Sequence, residues 1–258
     1  MDKKKHLIIG AGDIGKSMLE AIKDTTEAQI RDQESDIVGR FDCIHICFPY
    51  FNGFLGEVKR YDTLYAPEII IVHSTVPVGT IRALGEKAVH IPIRGRHPLL
   101  AESIRIFKMY VSGNDPARVK EVAKFFQQVN PDVLSLENYQ PETTEILKLM
   151  DTSYFAWNIL FEKEMKRICD EHKVPFEIVY QDANNSYNAG YTALGQPQFT
   201  RPVLKHMPGP IGRPVLDHMP GPIGGHCVIP NAELFPKTYI NQLILKKNKE
   251  FKKELPDS

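Results

Sequence analysis

The chain has 258 residues, of which 42% are hydrophobic and 25% are charged, a composition typical of a folded globular protein with one large domain or two smaller ones. Its thirty-two basic residues balance its thirty-two acidic residues, so composition gives no electrostatic case for a nucleic-acid or membrane partner. The first apolar stretch is too short for a signal peptide, and no stretch approaches the length of a membrane span. We therefore expect a cytoplasmic protein.

The four cysteines are typical of a reduced compartment rather than of a disulfide framework, given the length of the chain. Cys43 and Cys47 lie four residues apart in a strand-like run, which is the wrong spacing for a C-x-x-C metal motif. We expect both to be small buried hydrophobic residues, and we predict no metal site.

A glycine-rich turn joins the first predicted strand to an amphipathic helix. Gly10, Gly12 and Gly15 have the G-x-G-x-x-G spacing, which allows a tight turn, a close approach of a pyrophosphate and close helix–strand packing. Asp13 and Ile14 open the helix, whose free N–H groups and positive dipole end attract phosphate groups. The turn therefore predicts a dinucleotide site, and an ordinary glycine turn is the alternative.

The second predicted strand, residues 28–32, ends in Asp32. Its distance from the glycines is roughly that at which an acidic residue binds the ribose hydroxyls of a dinucleotide. Asp32 therefore favours NAD over NADP as the cofactor, whereas the adjacent Arg31 keeps NADP open as an alternative.

Five more strands are predicted, and their continuous apolar sequences fit a parallel sheet that is buried on both faces. In such sheets ligands lie beyond the carboxyl ends of the strands. Pro49 follows the third strand, and Ser74 and Thr75 follow the fourth. We include these three residues in the predicted cofactor site. The five strands cover residues 43–48, 68–73, 88–93, 107–111 and 132–136.

Composition changes at Gln140, after which residues 141–172 have a helical pattern without an internal proline or glycine. The apolar residues of this long helix lie on more than one side, so we expect it to be buried in a second domain or against a second subunit. We predict an α/β fold in which a Rossmann-type doubly wound parallel sheet, residues 1–139, binds NAD. A smaller all-α domain built on the long helix, residues 140–258, follows it.

The stretch 219–231 is rich in glycine and proline and leads through Gly-Gly-His to Cys227. Such a turn costs conformational entropy to order, so the thiol is either a functional group or an inert surface cysteine. Residues 201–212 and 213–224 are nearly identical, and we interpret this tandem repeat as a local duplication rather than as a solenoid.

Four stretches of the chain carry a resemblance to a known family: the glycine loop at 10–15, Ser-Thr-Val-Pro-Val-Gly-Thr at 74–80, Glu-Ile-Leu-Lys-Leu at 145–149, and Gly-Pro-Ile-Gly-Gly-His-Cys at 221–227. Together they resemble the UDP-glucose/GDP-mannose dehydrogenase family, particularly its UDP-N-acetylmannosamine dehydrogenase branch. The glycine loop is shared by many nucleotide enzymes, whereas the second and fourth stretches are specific. The resemblance implies a short form that lacks the family's C-terminal UDP-binding domain.

The resemblance also implies a mechanism. Members of the family oxidise a sugar-nucleotide alcohol twice with NAD, through a cysteine-bound thiohemiacetal and thioester. By this resemblance Cys227 is the nucleophile, Lys148 stabilises the charge that develops on the substrate oxygen, and Thr75 helps to order the polar network. The family pairs through its equivalent of the long helix, which implies a homodimer.

Three positions depart from the family's pattern. Leu99 stands where the family has a glutamate, Thr152 stands where it has an asparagine, and Asn231 stands where it has an aspartate. An asparagine carries no charge and cannot act as a base. Loss of general-base help typically lowers a rate by about 10²–10⁴-fold.

Three interpretations therefore stay open. The first is an NAD-dependent oxidoreductase that acts on a nucleotide sugar or a smaller alcohol through Cys227 and Lys148. The second is a dinucleotide-binding relative that has lost the chemistry and has a binding or regulatory role. The third is a two-electron 3-hydroxyacid-type dehydrogenase in which Lys148 is the main acid–base group. In that case Arg94, Arg96 or His97 would hold an anionic substrate.

Overall fold

A computed structural model describes residues 4–33, 36–95, 98–203, 221–224 and 227–253 of the chain. The chain divides into two compact units, Met1–Leu149 and Met150–Ser258. Arg96, His97, most of the tandem repeat and the Gly-His pair before Cys227 lie outside the described residues.

Seven strands of the first unit form one sheet: β1 Lys5–Ile9, β2 Glu27–Arg31, β3 Cys43–Ile46, β4 Ile69–Val72, β5 Ala88–His90, β6 Met109–Gly113 and β7 Val133–Ser135. Their order across the sheet is β2-β1-β3-β4-β5-β6-β7. The seven predicted strands are confirmed. Neighbouring strands are parallel except β5 and β6, which pair antiparallel and so depart from the fully parallel sheet that the sequence predicts.

Helices cover both faces of this sheet: α1 Asp13–Ile22, α2 Phe54–Tyr65, α3 Thr80–Leu84, α4 Leu100–Ile106 and α5 Pro116–Phe126. One hydrophobic core contains residues of α1, α4 and α5, including Met18, Ile104 and Phe126. A second core, on the other face, contains residues of α2 and α3, including Tyr65 and Ile81. The doubly wound arrangement that the sequence predicts is thus confirmed.

The order of the strands reverses at β1, which lies between β2 on one side and β3 on the other. In an open sheet of this kind the two connections leave β1 on opposite sides, and a crevice forms at the carboxyl ends of the central strands. The turn after β1 and the loop after β3 therefore border the crevice in which such folds bind nucleotides.

The long helix, α6 Glu142–His172, begins in the first unit and runs on through the second. In the described part of the second unit, the other helices are a π-helix Glu177–Asp182, α7 Ala183–Ala193, a 3₁₀ turn Pro197–Phe199, α8 Val228–Leu234 and α9 Tyr239–Lys253. Ala156 and Leu160 of α6 pack with Ile244 and Phe251 of α9 in a hydrophobic core of the second unit. The second part of the chain is therefore helical, as predicted.

Within the second unit α6 has one buried side and one exposed apolar side. Ala156 and Leu160 are buried, whereas Tyr154, Trp157 and Phe161 are 62%, 41% and 54% exposed. The described residues of the second unit thus bury α6 on one side, and burial of its other side against a second subunit stays a prediction. Its broad apolar pattern leaves aromatic side chains in contact with solvent.

Three of the cysteines are buried, and Cys227 is exposed. Burial raises the pKa of the Cys43 thiol to about 12, and burial also raises the pKa of the Cys47 thiol. The prediction that Cys43 and Cys47 are buried hydrophobic residues is confirmed. In the described part of the chain, no cluster of three or more metal-binding side chains occurs, and no helix is both long and apolar enough to cross a bilayer.

Three buried histidines form a row across β1, β3 and β4. His6 Nδ1 lies 2.8 Å from His45 Nε2, His45 Nδ1 lies 2.9 Å from His73 Nε2, and His73 Nδ1 lies 2.9 Å from the carbonyl oxygen of Ile91. A carbonyl oxygen can only accept, so each Nδ1 of a neutral row carries the hydrogen. The row then ends at His6 Nε2, a buried acceptor for which the described residues provide no hydrogen-bond partner.

Burial keeps the histidine row neutral, because it lowers the pKa values of His6 and His73 to about 4 and that of His45 as well, relative to 6.5 in an exposed imidazole. The unfolded chain therefore takes up protons below pH 6.5 while the folded chain does not. We expect the free energy of unfolding to be highest above pH 6.5 and to fall between pH 6.5 and 4. Each histidine contributes up to about 1.4 kcal/mol per pH unit.

Urea unfolding of wild type and His6→Leu at several pH values measures this effect. His6→Leu removes one buried titrating group, so its stability should fall less steeply with acid. The matched control is His172→Gln at the exposed end of α6. A slope that changes in the control but not in His6→Leu would contradict the assignment.

Candidate functional site

The glycine turn after β1 is held in a conformation that excludes side chains. Gly10 has a φ of 107°, and its N–H donates to the carbonyl oxygen of Arg31 at 2.9 Å. A Cβ at Gly10 would lie 2.9 Å from the backbone nitrogen of Phe48, and a Cβ at Gly15 would lie 1.8 Å from the carbonyl oxygen of Gly10. Both glycines are therefore required for α1 to begin this close to the end of β1.

Gly12 differs, because a Cβ added there would meet nothing within 4 Å. It is the N-cap of α1, and no side chain of residues 4–33, 36–95, 98–203, 221–224 or 227–253 caps the first turn by a hydrogen bond. Asp13 is exposed and Ile14 is half-buried. The first N–H groups of a helix lack intrahelical acceptors, so this open turn has the shape and polarity to hold a pyrophosphate.

Asp32 and Arg31, at the end of β2, have different environments. Asp32 is exposed, and its carboxylate accepts from the backbone N–H of Gln33 at 2.9 Å. The Arg31 guanidinium donates to the Tyr65 hydroxyl, and its Cζ lies 5.6 Å from the centre of the Tyr61 ring. The carboxylate thus faces solvent, whereas the guanidinium is held against α2.

The loops after β3 and β4 are joined through Ser74. Its hydroxyl donates to the carbonyl oxygen of Phe48 at 2.6 Å, and the side chain is buried. Phe48 precedes the exposed Pro49, and its backbone also borders Gly10. Three of the predicted cofactor residues, Gly10, Pro49 and Ser74, therefore belong to one connected set of strand ends, with the half-buried Thr75 next to them.

His90 of β5 contacts the loop that follows β4. Its Nε2 lies 3.1 Å from the Ser74 carbonyl oxygen, and its Nδ1 lies 2.7 Å from the Thr144 hydroxyl at the start of α6. Since a carbonyl only accepts, Nε2 carries the hydrogen and Thr144 donates to Nδ1. Burial lowers the pKa of His90 to about 3, so the imidazole is neutral. Sequence reasoning missed this residue, because a histidine in an apolar strand resembles any other core position.

Glu145 of α6 is a second residue whose structural role the sequence did not predict. Its carboxylate is buried and accepts from the backbone N–H groups of Gly79 at 2.7 Å and Ile81 at 2.8 Å. It therefore caps the N-terminus of α3 from a different helix. Burial raises the pKa of Glu145, and these two hydrogen bonds act in the opposite direction.

Lys148 lies one turn beyond Glu145 on α6. Its side chain is half-buried, and Nζ donates to the carbonyl oxygen of Ile93 at 2.8 Å. The amine is thus directed at the segment that follows β5. The neighbouring Arg94 is half-buried, with its guanidinium Cζ 5.7 Å from the centre of the Tyr110 ring.

The second unit contains the other predicted catalytic residues. Cys227 is exposed immediately before α8, and its carbonyl oxygen accepts from the N–H of Asn231 at 3.0 Å. The buried Asn231 side chain donates through Nδ2 to the Thr152 hydroxyl at 3.4 Å. Cys227, Asn231 and Thr152 are therefore brought together, whereas Leu99 is a 47% exposed residue before α4 in the first unit. The approach of Cys227 to Lys148 joins the two units and stays a prediction.

No model of a known protein family matches the sequence, and no curated protein sequence matches it. Solved structures do match the fold. UDP-D-ManNAc dehydrogenase from Pyrococcus horikoshii superposes with a TM-score of 0.68 at 14% identity, over 96% of this chain and 68% of the other. 3-Hydroxyisobutyrate dehydrogenase from Salmonella typhimurium superposes with a TM-score of 0.58 at 12% identity, over 96% of this chain and 94% of the other. An imine reductase from Myxococcus stipitatus, solved with NAD⁺, superposes with a TM-score of 0.52 at 13% identity, over 77% of each chain.

At these identities the similarity shows a common fold, a Rossmann-type sheet followed by helices. The chain spans about two thirds of the length of the Pyrococcus protein.

The capping role of Glu145 can be tested against a matched residue on the same helix. Glu145→Gln leaves one amide oxygen to accept from two buried N–H groups, and we expect it to lower the free energy of unfolding by about 1–3 kcal/mol. Glu142 lies one turn earlier on α6, and Glu142→Gln removes the same charge. Its ion-pair partner Arg82 is 55% exposed, so water can replace the lost contact. Glu142→Gln should cost less than about 1 kcal/mol. Equal losses in urea unfolding would show that charge, not capping, is what α3 requires.

Proposed function

We propose that this protein is an NAD-dependent oxidoreductase that resembles nucleotide-sugar 6-dehydrogenases and oxidises a sugar-type alcohol through a Cys227 thiohemiacetal and thioester. The observation that carries the proposal is the open N-terminus of α1, which Gly10 and Gly15 allow at the end of β1. In the proposed arrangement residues 1–139 form the NAD-binding domain. Residues 140–258 form the helical domain that carries the thiol segment.

The cofactor would be held by the strand ends of the first unit. The N–H groups that open α1 at Asp13, Ile14 and Gly15 would bind the pyrophosphate, and Asp32 would accept hydrogen bonds from the adenosine ribose. When bound, NAD supplies the acceptor for hydride. The imine reductase of the same fold was solved with NAD⁺, which supports this choice of ligand.

The environments of Arg31 and Asp32 support NAD rather than NADP. A 2′-phosphate needs a cationic partner and would be repelled by a carboxylate. The Asp32 carboxylate is exposed, while the Arg31 guanidinium donates to Tyr65 and lies beside the Tyr61 ring. The contacts with Tyr65 and Tyr61 thus direct the Arg31 guanidinium toward α2, whereas the Asp32 carboxylate is exposed.

The chemistry would be divided between the two units. The Cys227 thiolate would add to the aldehyde carbon that the first oxidation produces, and the Lys148 ammonium would stabilise the negative charge on the substrate oxygen. Loss of hydride from this adduct would leave a thioester, which water would hydrolyse to the acid and the free thiol. Thr75 would help to order the polar groups around the substrate. Asn231 and Thr152 would orient them as a neutral pair, since neither is a base at neutral pH.

The substrate class and the assembly belong to the same proposal. The similarity in fold to UDP-D-ManNAc dehydrogenase supports a nucleotide sugar or a smaller anionic alcohol as the substrate. The exposed aromatic side of α6, with Tyr154, Trp157 and Phe161, supports a homodimer, for which light scattering is the direct test. A cytoplasmic location rests on the four free cysteines.

Two other functions have support of their own. The hydrogen bond between Asn231 and Thr152 pairs the side chains at two of the three positions that depart from the family's pattern, and neither side chain is a carboxylate, which favours an NAD-binding relative with impaired chemistry. The fold of 3-hydroxyisobutyrate dehydrogenase, of which the match covers 94%, favours a two-electron reaction with Lys148 as the acid–base group. That reaction would leave Cys227 without a role.

Fluorescence titration with NADH and NADPH tests the cofactor assignment. We expect tighter binding of NADH, and Asp32→Asn should weaken it about tenfold, because hydrogen bonds to a charged group contribute about 1.5–3 kcal/mol. The same variant should narrow the difference between NADH and NADPH. Asp36→Asn, an exposed acid in the same loop, is the matched control. Tighter binding of NADPH by the wild type would overturn the preference for NAD.

The yield of NADH per substrate tests the role of Cys227. With NAD and a UDP-sugar that the protein accepts, we expect two NADH per substrate in the wild type, and Cys227→Ala should abolish this yield. One NADH per substrate in both proteins would indicate the two-electron reaction. Tight NAD binding without NADH from any sugar nucleotide would indicate the impaired relative.

A further inference from the structure

The second unit contains a buried lysine, Lys163, in the middle of α6. The residue is 3% exposed, and its Nζ donates to the carbonyl oxygen of Gly221 at 2.9 Å. Nζ also lies 5.4 Å from the centre of the Phe251 ring. Lysine is rarely buried to this degree, because removing an ammonium group from water is costly unless polar groups compensate. A buried lysine amine that donates to a backbone carbonyl therefore helps to fix the position of that carbonyl.

A second buried polar side chain holds the same segment two residues later. Asn248 of α9 is 6% exposed, and its Oδ1 accepts from the backbone N–H of Ile223 at 2.6 Å. The Ile223 side chain is itself part of the hydrophobic core of this unit. A carbonyl and an N–H of the segment that leads to Cys227 are thus bound to the interior by side chains of two different helices.

The other flank of Cys227 is attached to α6 as well. Its carbonyl oxygen accepts from the N–H of Asn231, and the Asn231 amide donates to the Thr152 hydroxyl. Lys163 and Thr152 are eleven residues apart on α6, or about 16 Å along its axis. Residues 221–224 and 227–231 are therefore each bound to α6, and the exposed thiol lies at the start of the second of these two stretches.

We propose that Lys163, assisted by Asn248, is a positioning residue that fixes the backbone at Gly221 and Ile223, a few residues before Cys227, and so determines where the thiol is presented. A methionine would fill the same volume in the core but would leave the Gly221 carbonyl unbound. The chemical use of the placement rests on the proposed function, in which the thiol must meet an aldehyde carbon.

Thiol labelling measures the placement without any substrate. Cys227 is exposed while Cys43, Cys47 and Cys169 are buried, so a disulfide reagent such as DTNB reports on one thiol in the folded protein. In Lys163→Met we expect the Cys227 labelling rate at fixed pH to rise by about threefold or more, because an unanchored segment opens locally. Asn248→Ala removes a single neutral hydrogen bond and should give a smaller rise in the same direction. It also provides the test if Lys163→Met does not fold.

Lys166→Met is the matched control, since it removes an amine from the next turn of the same helix, where Lys166 pairs with the exposed Asp170. Its labelling rate should equal that of the wild type. Wild-type rates in both folded anchor variants would overturn the proposal. So would an equal rise in Lys166→Met, or simultaneous labelling of the buried cysteines, which would indicate general unfolding.

The effect of Lys163 on catalysis is measured in a separate experiment, by the kinetics of NADH production. If the wild type produces two NADH per substrate, Lys163→Met should lower kcat while leaving the KM for NAD unchanged, because the cofactor residues are in the other unit. A wild type that produces no NADH would contradict the proposed function. The labelling rates would still decide whether Lys163 positions the thiol.

Discussion

The close approach of α1 to the end of β1 is the constraint on which the first unit depends. A Cβ at Gly15 would overlap the carbonyl oxygen of Gly10, and a Cβ at Gly10 would press on the backbone at Phe48. Backbone atoms cannot yield as a flexible side chain can, so substitution at either glycine would move the helix away from the sheet. Without this contact the N-terminus of α1 would not open onto the crevice, and the proposed dinucleotide site at Asp32, Pro49 and Ser74 would not form.

The long helix α6 acts as a support for loops that themselves have little regular structure. In the first unit Thr144 and Glu145 bind the segment that follows β4, through His90 and through the N-terminus of α3. In the second unit Lys163 binds the segment that precedes Cys227. The same physical device recurs, since a buried polar side chain of a rigid helix satisfies backbone groups of a loop that could not otherwise be buried.

The sequence predicts those features that local patterns encode. The glycine spacing located the turn after β1, and the apolar runs located all seven strands, because buried strands are continuous in hydrophobicity. The direction of β6 was missed, because a buried strand has the same apolar pattern whether it is parallel or antiparallel. Glu145 and Lys163 could not be found for a related reason. On a helix wheel each resembles a solvated charge, and their backbone partners lie 58 or more residues away in sequence.

The pair formed by Asn231 and Thr152 bears on which chemical step this site would favour. Addition of a thiolate to an aldehyde needs stabilisation of the resulting oxyanion, which an ammonium or a neutral donor supplies. Hydrolysis of a thioester needs an activated water, which a carboxylate assists and an amide does not. Asn231 donates to Thr152 and can orient a neighbour, but it cannot take up a proton. In the proposed reaction, capture of the aldehyde by Cys227 would therefore be compatible with these residues, and release of the acid would be the step that their chemistry slows.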